Sequence, residues 1–168
     1  MKAYLFSLAT LLAYSTTSLA QTISPTQVPA LVQVTFATRF PTVKTLTWEK
    51  ESQPVKQVYE YETHNDFGAR DAFLTEEMYE ASFRLNGRQM SVVITPAGVI
   101  QETETTLTIK QLPPAILASL ARDFTAYQVR EAATINKADG STVYEAELAL
   151  AGKKQDVLFT ADGRLASR

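Results

Sequence analysis

Apolar and polar residues alternate in two stretches of the chain that match each other. The first runs from Tyr79 to Arg88 and the second from Tyr144 to Lys153, at a constant offset of 65 residues. The shared pattern is Y-E-A-x-[FL]-x-L-x-G-[RK], followed by V-[VL]-[IF]-T-x-x-G-x-[IL]. Alternation with period two predicts strands with one face on a core and one face in water. Each stretch therefore predicts an antiparallel meander.

Glycines mark the turns of both meanders. Asn86-Gly87 is typical of a two-residue hairpin turn, because both residues tolerate a positive φ. Ala151-Gly152 stands at the matching place with weaker turn chemistry. Gly98 and Gly163 predict a second turn in each copy.

A helical pattern precedes each meander, over Pro29–Phe40 and over Pro113–Phe124. Apolar residues recur at i, i+4 and i+8, which predicts a stripe along one helix face. The first stripe is Val32, Phe36 and Phe40, and the second is Ile116, Leu120 and Phe124. Proline needs no backbone donor at the first turn, so Pro29 and Pro113 indicate where the helices begin.

The first copy is about 19 residues longer than the second between helix and meander, because the helices correspond at an offset of 84 rather than 65. The extra length lies between Glu49 and Met78. We expect Gln57–Thr63 to form an extra or lengthened edge strand, and His64–Glu77 to form a polar surface loop.

These patterns predict an α+β fold of two tandem helix-plus-antiparallel-strand repeats. In each repeat about four strands follow one helix, and the helices cover one face of an antiparallel sheet in two layers. The expected boundaries are 21–108, with an insertion at about 50–78, and 109–168.

The first twenty residues have the order of a secretory signal peptide. Met1-Lys2 is followed by the apolar run Ala3–Tyr14, and small residues stand at Ser18 and Ala20. The run is short of the roughly 20 residues needed to span a bilayer. We expect cleavage near Ala20 and a periplasmic or secreted protein without a membrane span.

Composition narrows the class further. The 168 residues include no cysteine and are 45% hydrophobic, so core burial rather than disulfides must stabilise an exported chain. Of the 16 basic residues, Lys2 alone lies before Gln21, and the chain has 18 acidic residues. This mildly acidic balance argues against nucleic acid as a partner.

The proline-led helices ending in phenylalanine, the Y-E-A-x-[FL]-x-L-x-G-[RK] stretches and the T-x-x-G-x-[IL] endings resemble the PepSY-like, beta-lactamase-inhibitor-like family. These are exported proteins common in Bacteroidetes. The resemblance covers nearly all of the chain after Ala20 and implies helices on one face of an antiparallel sheet. It implies little about activity, and the insertion after Glu49 departs from it.

No catalytic, cofactor-binding or metal site is predicted. His64 is the one histidine and cysteine is absent, which excludes a Cys-His nucleophile and a Cys or multi-His zinc site. Four carboxylates near His64 could bind a hard cation, but their spacing is not that of an EF-hand loop, and a solvated acidic loop is the favoured interpretation. They are Asp66, Asp71, Glu76 and Glu77. Glu80 and Glu145 recur at matching positions and suggest either a carboxylate pair or two exposed strand residues.

Aromatic residues give the candidate partner-binding positions: Trp48, Tyr59 and Tyr61. Exposed aromatics are enriched at protein interfaces. The alternative is that they complete the core, and for Trp48 this alternative is at least as strong.

The leading hypothesis is an exported, non-catalytic binding module, inhibitor-like in character. Its partner would be an exported protein, such as a protease or beta-lactamase, or an envelope component. A small-ligand or metal-sensing envelope module is the alternative, and a carboxylate-dependent hydrolase is the third hypothesis. The sequence leaves the oligomeric state open.

Overall fold

The residues that the structure describes form one antiparallel sheet of eight strands in sequential order, with two ten-residue α-helices. The computed structural model describes the backbone of residues 21–63 and 66–166, and the side chains of 21–52 and 76–166. The elements are β1 Gln21–Ile23, α1 Ala30–Arg39, β2 Leu46–Thr63, β3 Asp66–Leu85, β4 Arg88–Ile94, β5 Ile100–Leu107, α2 Pro114–Asp123, β6 Gln128–Lys137, β7 Thr142–Leu150 and β8 Lys153–Phe159.

Both helices begin and end where the sequence predicts. Pro29 caps the start of α1 and Pro113 caps the start of α2. At the C-terminal ends the backbone N–H of Phe40 donates a hydrogen bond to the Phe36 carbonyl, and that of Phe124 donates one to the Leu120 carbonyl. The predicted spans of Pro29–Phe40 and Pro113–Phe124 are therefore confirmed to within one residue at each end.

Aromatic rings join α1 to the sheet. Val32, Phe36 and Phe40 are all buried on the side of α1 that faces Trp48 and Phe83. The Phe36 ring meets Phe83 edge-on at 5.2 Å and Trp48 edge-on at 5.4 Å between centroids. Each such pair adds about 0.5–1.5 kcal/mol beyond the area that it buries. The predicted stripe on α1 is thus the principal contact of this helix.

The α2 stripe packs in the same way at the other end of the sheet. Ile116 and Leu120 are buried against Ala146, Leu148 and Phe159. The Phe124 ring, half-buried at the end of the helix, meets the Phe159 ring edge-on at 6.1 Å.

Strand pairing places both helices on the same face of the sheet, because residues directly opposite each other share a face. One row of opposed residues crosses seven strands: Leu46, Phe83, Met90, Thr105, Thr134, Tyr144 and Phe159. Phe83 packs in the core under α1 and Phe159 packs in the core under α2.

The predicted fold class of two tandem helix-plus-strand repeats is wrong. β5 pairs with β6, from Glu102 opposite Lys137 to Leu107 opposite Ala132, so the strands form one continuous, mostly β structure. A strand edge presents N–H and C=O groups that need partners. Here β5 and β6, which would be exposed edge strands of two separate units, supply each other's backbone hydrogen bonds. A local match of strand and turn does not reveal this pairing.

The predicted loop over His64–Glu77 is also wrong for the backbone that the structure describes. β2 runs through Thr63 and β3 begins at Asp66, and the two strands pair without a break from Leu46 opposite Phe83 to Thr63 opposite Asp66. The expected lengthened strand over Gln57–Thr63 is confirmed. The sequence of 66–77 concealed a strand, because it carries no regular alternation of apolar and polar residues.

Hydroxyl groups on the helices fasten them to two glycine turns. Ser119 Oγ, which is buried, donates to the Gly163 carbonyl at 2.7 Å, and Thr35 Oγ1 donates to the Gly98 carbonyl at 3.1 Å. Gly163 lies so close to α2 that an added Cβ would stand 2.5 Å from the Ala115 carbonyl oxygen. This backbone atom belongs to the helix and cannot move aside cheaply.

We expect Gly163→Ala to destabilise the protein more than Gly152→Ala does. Both glycines have φ near +80°, so both variants lose about 1 kcal/mol to the left-handed backbone. A Cβ at Gly152 meets nothing within 4 Å, whereas at Gly163 it meets the Ala115 carbonyl. Thermal unfolding should give a melting temperature for Gly163→Ala that is several degrees below that of Gly152→Ala. Equal melting temperatures would show that the turn can move away from the helix.

Candidate binding surface on the open face of the sheet

The helices leave the other side of the sheet without a covering layer over most of its width. We call this side the open face, and we restrict it to residues 47–52 and 76–158, where side chains are described. Two rows of opposed residues illustrate it. One row is Glu49, Glu80, Val93, Glu102 and Lys137, and the other is Thr47, Ser82, Ser91, Glu104, Ile135 and Val143.

One end of the open face is apolar and partly covered. Ile135, Val143 and Leu158 form a small buried cluster, and Ala166 packs against it. The backbone N–H of Ala166 donates to the Leu158 carbonyl at 2.8 Å, which holds the backbone at Ala166 beside β8. The remaining open face, from β2 to the Lys154 and Asp156 part of β8, consists mainly of polar strand residues, with Met78 and Ala133 buried among them.

Carboxylates dominate these polar residues. Those on the open face are Glu49, Glu51, Glu76, Glu80, Glu102, Glu104, Glu131, Glu145, Glu147 and Asp156, assigned from the residues that they oppose. The cations on the same face are Arg84, Lys137 and Lys154. Arg130, at the bulge beside Glu131, is a fourth nearby cation, because its charge acts on Lys154. The open face is therefore strongly acidic, although the whole chain is only mildly so.

Several of these carboxylates lie directly opposite each other. Glu49 opposes Glu80, and Glu147 opposes both Glu131 and Asp156. Like charges in opposed positions destabilise a sheet. At the second group Lys154 relieves part of the repulsion, since its Nζ lies 2.9 Å from Glu147 Oε1. The hydrogen bond to Glu147, together with the charges of Glu147 and Glu131, raises the pKa of Lys154.

Three carboxylate oxygens, one from each of Glu49, Glu51 and Glu80, lie within 4.8 Å of one another. Oxygen ligands of this kind suit a hard cation, but Ca²⁺ takes six to eight of them. Acidic groups at this spacing are common on proteins without an ion, so the cluster does not favour ion sensing over partner binding. Of the carboxylates near His64 that the sequence offered for a cation, Asp66 and Asp71 have side chains outside the described residues, so the structure does not test them.

Glu77 belongs to the other side of the hairpin. It accepts a hydrogen bond from Lys50 Nζ at 2.8 Å. That hydrogen bond and the Lys50 charge lower the pKa of the Glu77 carboxyl.

The strand order separates Glu80 and Glu145, which the sequence suggested as a carboxylate pair. Glu80 is on β3 and Glu145 is on β7, with three strands between them. At about 4.8 Å per strand they are roughly 19 Å apart. Paired carboxylates in glycoside hydrolases lie about 5–9.5 Å apart. These two residues therefore cannot act on one bond, and the hydrolase hypothesis loses its candidate pair.

The predicted partner-binding aromatics divide between two regions. Trp48 is buried, 5% exposed, on the face covered by α1. This position favours the core interpretation for Trp48. The side chains of Tyr59 and Tyr61 lie outside the described residues. Their backbones pair with Arg70 and Gly68.

A shallow cleft of about 330 Å³ lies on the helix side, beside α1. Its walls include Phe36, Phe40 and Trp48, and its polar groups include Gln33 and Lys44. The Gln33 amide already donates to the carbonyls of Pro25 and Val28, so it serves the fold. Small-molecule sites need several convergent polar groups in a largely enclosed pocket, and this cleft lacks that arrangement.

Sequence reasoning missed the acidic character of the open face. The signal was available only as alternation, since glutamates at every second strand position share a face. Which strands lie side by side, and hence which glutamates meet, depends on pairing between distant segments.

The fold is similar to crystal structures of several Bacteroides proteins. A protein of Bacteroides eggerthii whose description proposes a periplasmic location aligns with a TM-score of 0.60 at 17% identity, over 83% of this chain and 86% of that one. A DUF2874 family protein of Bacteroides uniformis aligns with a TM-score of 0.59 at 19% identity, over 83% of this chain and 86% of that one. A BLIP-like protein of Bacteroides fragilis aligns with a TM-score of 0.54 at 20% identity, over 83% of this chain and 84% of that one.

These similarities support the beta-lactamase-inhibitor-like part of the resemblance at the level of fold. The PepSY part stays a prediction. No protein-family model and no curated protein matches the chain. In the described part of the chain no helix is long and apolar enough to cross a membrane.

We expect Trp48→Ala to lower the free energy of unfolding by about 3–5 kcal/mol, because it removes a large buried ring from the contact with Phe36. Trp48→Phe should cost less, since part of the aromatic contact is kept. Urea unfolding followed by circular dichroism measures both variants. If Trp48→Ala left the unfolding midpoint unchanged, the tryptophan would have to act outside the core.

We expect Glu49→Gln to raise the free energy of unfolding by about 0.5 kcal/mol at low salt, because it removes the charge opposite Glu80. Glu77→Gln is the matched control, since it removes the Lys50 ion pair and should give no gain. Thermal unfolding in sodium chloride and in calcium chloride of equal ionic strength tests whether repulsion between Glu49 and Glu80 is the cause. Stabilisation by calcium far above sodium, lost in Glu49→Gln, would instead identify a cation site.

Proposed function

We propose that this chain is an exported, non-catalytic binding module that holds a protein partner against the open face of its sheet. The observation that carries the proposal is the one-sided covering of the sheet. Both helices pack on the same face, and the other face presents half-buried polar side chains from several strands.

The size of the open face suits a protein partner. Seven strands about 4.8 Å apart, each with about seven residues rising about 3.3 Å, span roughly 800 Å². Stable protein–protein interfaces bury about 800 Å² on each partner. A small ligand would occupy only a fraction of such a surface.

The similarity to a BLIP-like protein supports an inhibitor-like role, in which the partner is an exported enzyme. Support for export comes from the signal-peptide pattern of residues 1–20, which lie outside the described residues, and from a structural relative described with a proposed periplasmic location. In this role the chain acts by covering a partner's surface.

Site-specific photo-crosslinking tests the proposal. Ser82 lies at the centre of the open face, between Thr47 and Ser91, and Thr38 is exposed on α1 on the opposite side. A photoreactive amino acid is placed at one position or the other in the exported chain, and cells of the native host are irradiated. We expect a discrete protein adduct from position 82, competed away by excess unlabelled chain, and none from position 38.

Circular dichroism melts of both labelled chains confirm that they fold. If an adduct formed from position 38 and none formed from position 82, the binding surface would lie on the helix side and the proposal would be contradicted.

A further inference from the structure

We infer that the open face selects a folded partner whose contact surface is rich in lysine and arginine. This inference rests on the proposed function, because it takes the open face as the binding surface. It adds the chemistry of the partner, which follows from how the fold distributes charge.

The fold separates the two signs of charge. Most cations with described side chains lie away from the open face, on the helices, in turns or on the helix side of the strands. They are Arg39, Lys44, Lys50, Arg88, Lys110, Arg122, Lys153 and Arg164. The carboxylates concentrate on the open face instead. Strand pairing produces this separation, since the acidic positions come from six different strands.

Carboxylates away from the open face have local partners. Glu77 pairs with Lys50, Asp123 with Arg122, and Asp162 with Arg164. Asp139 accepts a hydrogen bond from the Ser141 backbone N–H at 2.8 Å. On the open face Glu147 also has a local partner, Lys154. Carboxylates there nevertheless outnumber cations, and Glu49 opposes Glu80 while Glu131 opposes Glu147.

The open-face glutamates are also less hydrated than ordinary surface residues. Glu49, Glu51, Glu80, Glu102 and Glu104 are each half-buried. Apolar residues lie beside them on the same face, with Met78 opposite Glu51 and Val93 between Glu80 and Glu102. Charges that have lost part of their water interact more strongly than fully exposed ones. A cationic surface placed over this face would meet an excess of carboxylates.

Electrostatic complementarity of this kind governs the choice of partner and the association rate more than the total affinity. An acidic surface rejects acidic partners, because juxtaposed like charges cost several kcal/mol. Guanidinium groups suit it best, since they bind carboxylates with two parallel hydrogen bonds.

The shape of the acidic array favours a folded partner over a peptide. An extended peptide follows one line across or along the sheet, whereas the open-face carboxylates extend from β2 to β8 and over several rows. A second copy of this chain is a poor match, because its described cations are scattered over helix ends and turns.

The test uses one folded carrier protein in two forms, one with a lysine- and arginine-rich surface and one with an aspartate- and glutamate-rich surface. Binding to the mature chain is measured by calorimetry over a range of salt. We expect the cationic carrier alone to bind, with affinity falling as salt rises.

Two variants of the mature chain with equal net charge separate the open face from overall charge. Glu49→Gln with Glu102→Gln removes two open-face carboxylates, and Glu77→Gln with Asp123→Asn removes two from elsewhere. We expect at least tenfold weaker binding of the cationic carrier for the first variant and less than twofold change for the second. Thermal melts of both variants check that they fold.

Four outcomes would overturn the inference. They are equal losses in both variants, equal binding of the two carriers, binding of a lysine octapeptide as tight as that of the cationic carrier, and self-association in sedimentation that depends on Glu49 and Glu102. The last outcome would make a second copy the occupant.

Crosslinking from Ser82 in the Glu49→Gln, Glu102→Gln background distinguishes this inference from the proposed function. An adduct that forms undiminished in this background keeps the binding surface and overturns its charge preference. Failure to form an adduct even in the unsubstituted chain overturns the proposed function itself.

Discussion

The packing of each helix stripe against one face of the sheet is the interaction on which the other features depend. Val32, Phe36 and Phe40 on α1, and Ile116 and Leu120 on α2, supply the apolar surface that the strands need on one side. Each helix has only ten residues, too few to be stable in isolation, so helix and sheet stabilise each other. Since both helices come to the same face, the opposite face remains available for polar residues.

The pairing of β5 with β6 extends this constraint across the whole molecule. It aligns Phe83 under α1 with Phe159 under α2 in a single row, so that one face is the core throughout. It also brings Glu102 and Glu104 of β5 beside Lys137 and Ile135 of β6 on the opposite face. The same pairing therefore produces a continuous core on one face and places the carboxylates of β2, β3 and β5 on the same opposite face as those of β6, β7 and β8.

Opposed carboxylates destabilise a sheet locally, and contacts elsewhere in the fold compensate for this. Glu49 opposes Glu80 and Glu147 opposes Asp156, positions at which like charges repel, and Lys154 offsets part of the second repulsion. The helix side compensates with edge-to-face aromatic contacts and with hydroxyl hydrogen bonds from Thr35 and Ser119 to glycine turns. Proteins commonly retain such unfavourable local arrangements where a surface serves binding.

The sequence by itself determined the features that depend on neighbouring residues. The start of α1 after Pro29, the stripe at Val32 and Phe36, and the turn at Asn86-Gly87 all follow from helix periodicity and from φ preferences. Only the tertiary structure decided that the strands form one sheet, that 66–77 continues a strand, and that Trp48 is buried. It also decided that Glu49 and Glu80, 31 residues apart, meet on one face. The physical reason is that a strand's alternation specifies its two faces, while its neighbours are chosen by hydrogen bonding between segments far apart in the chain.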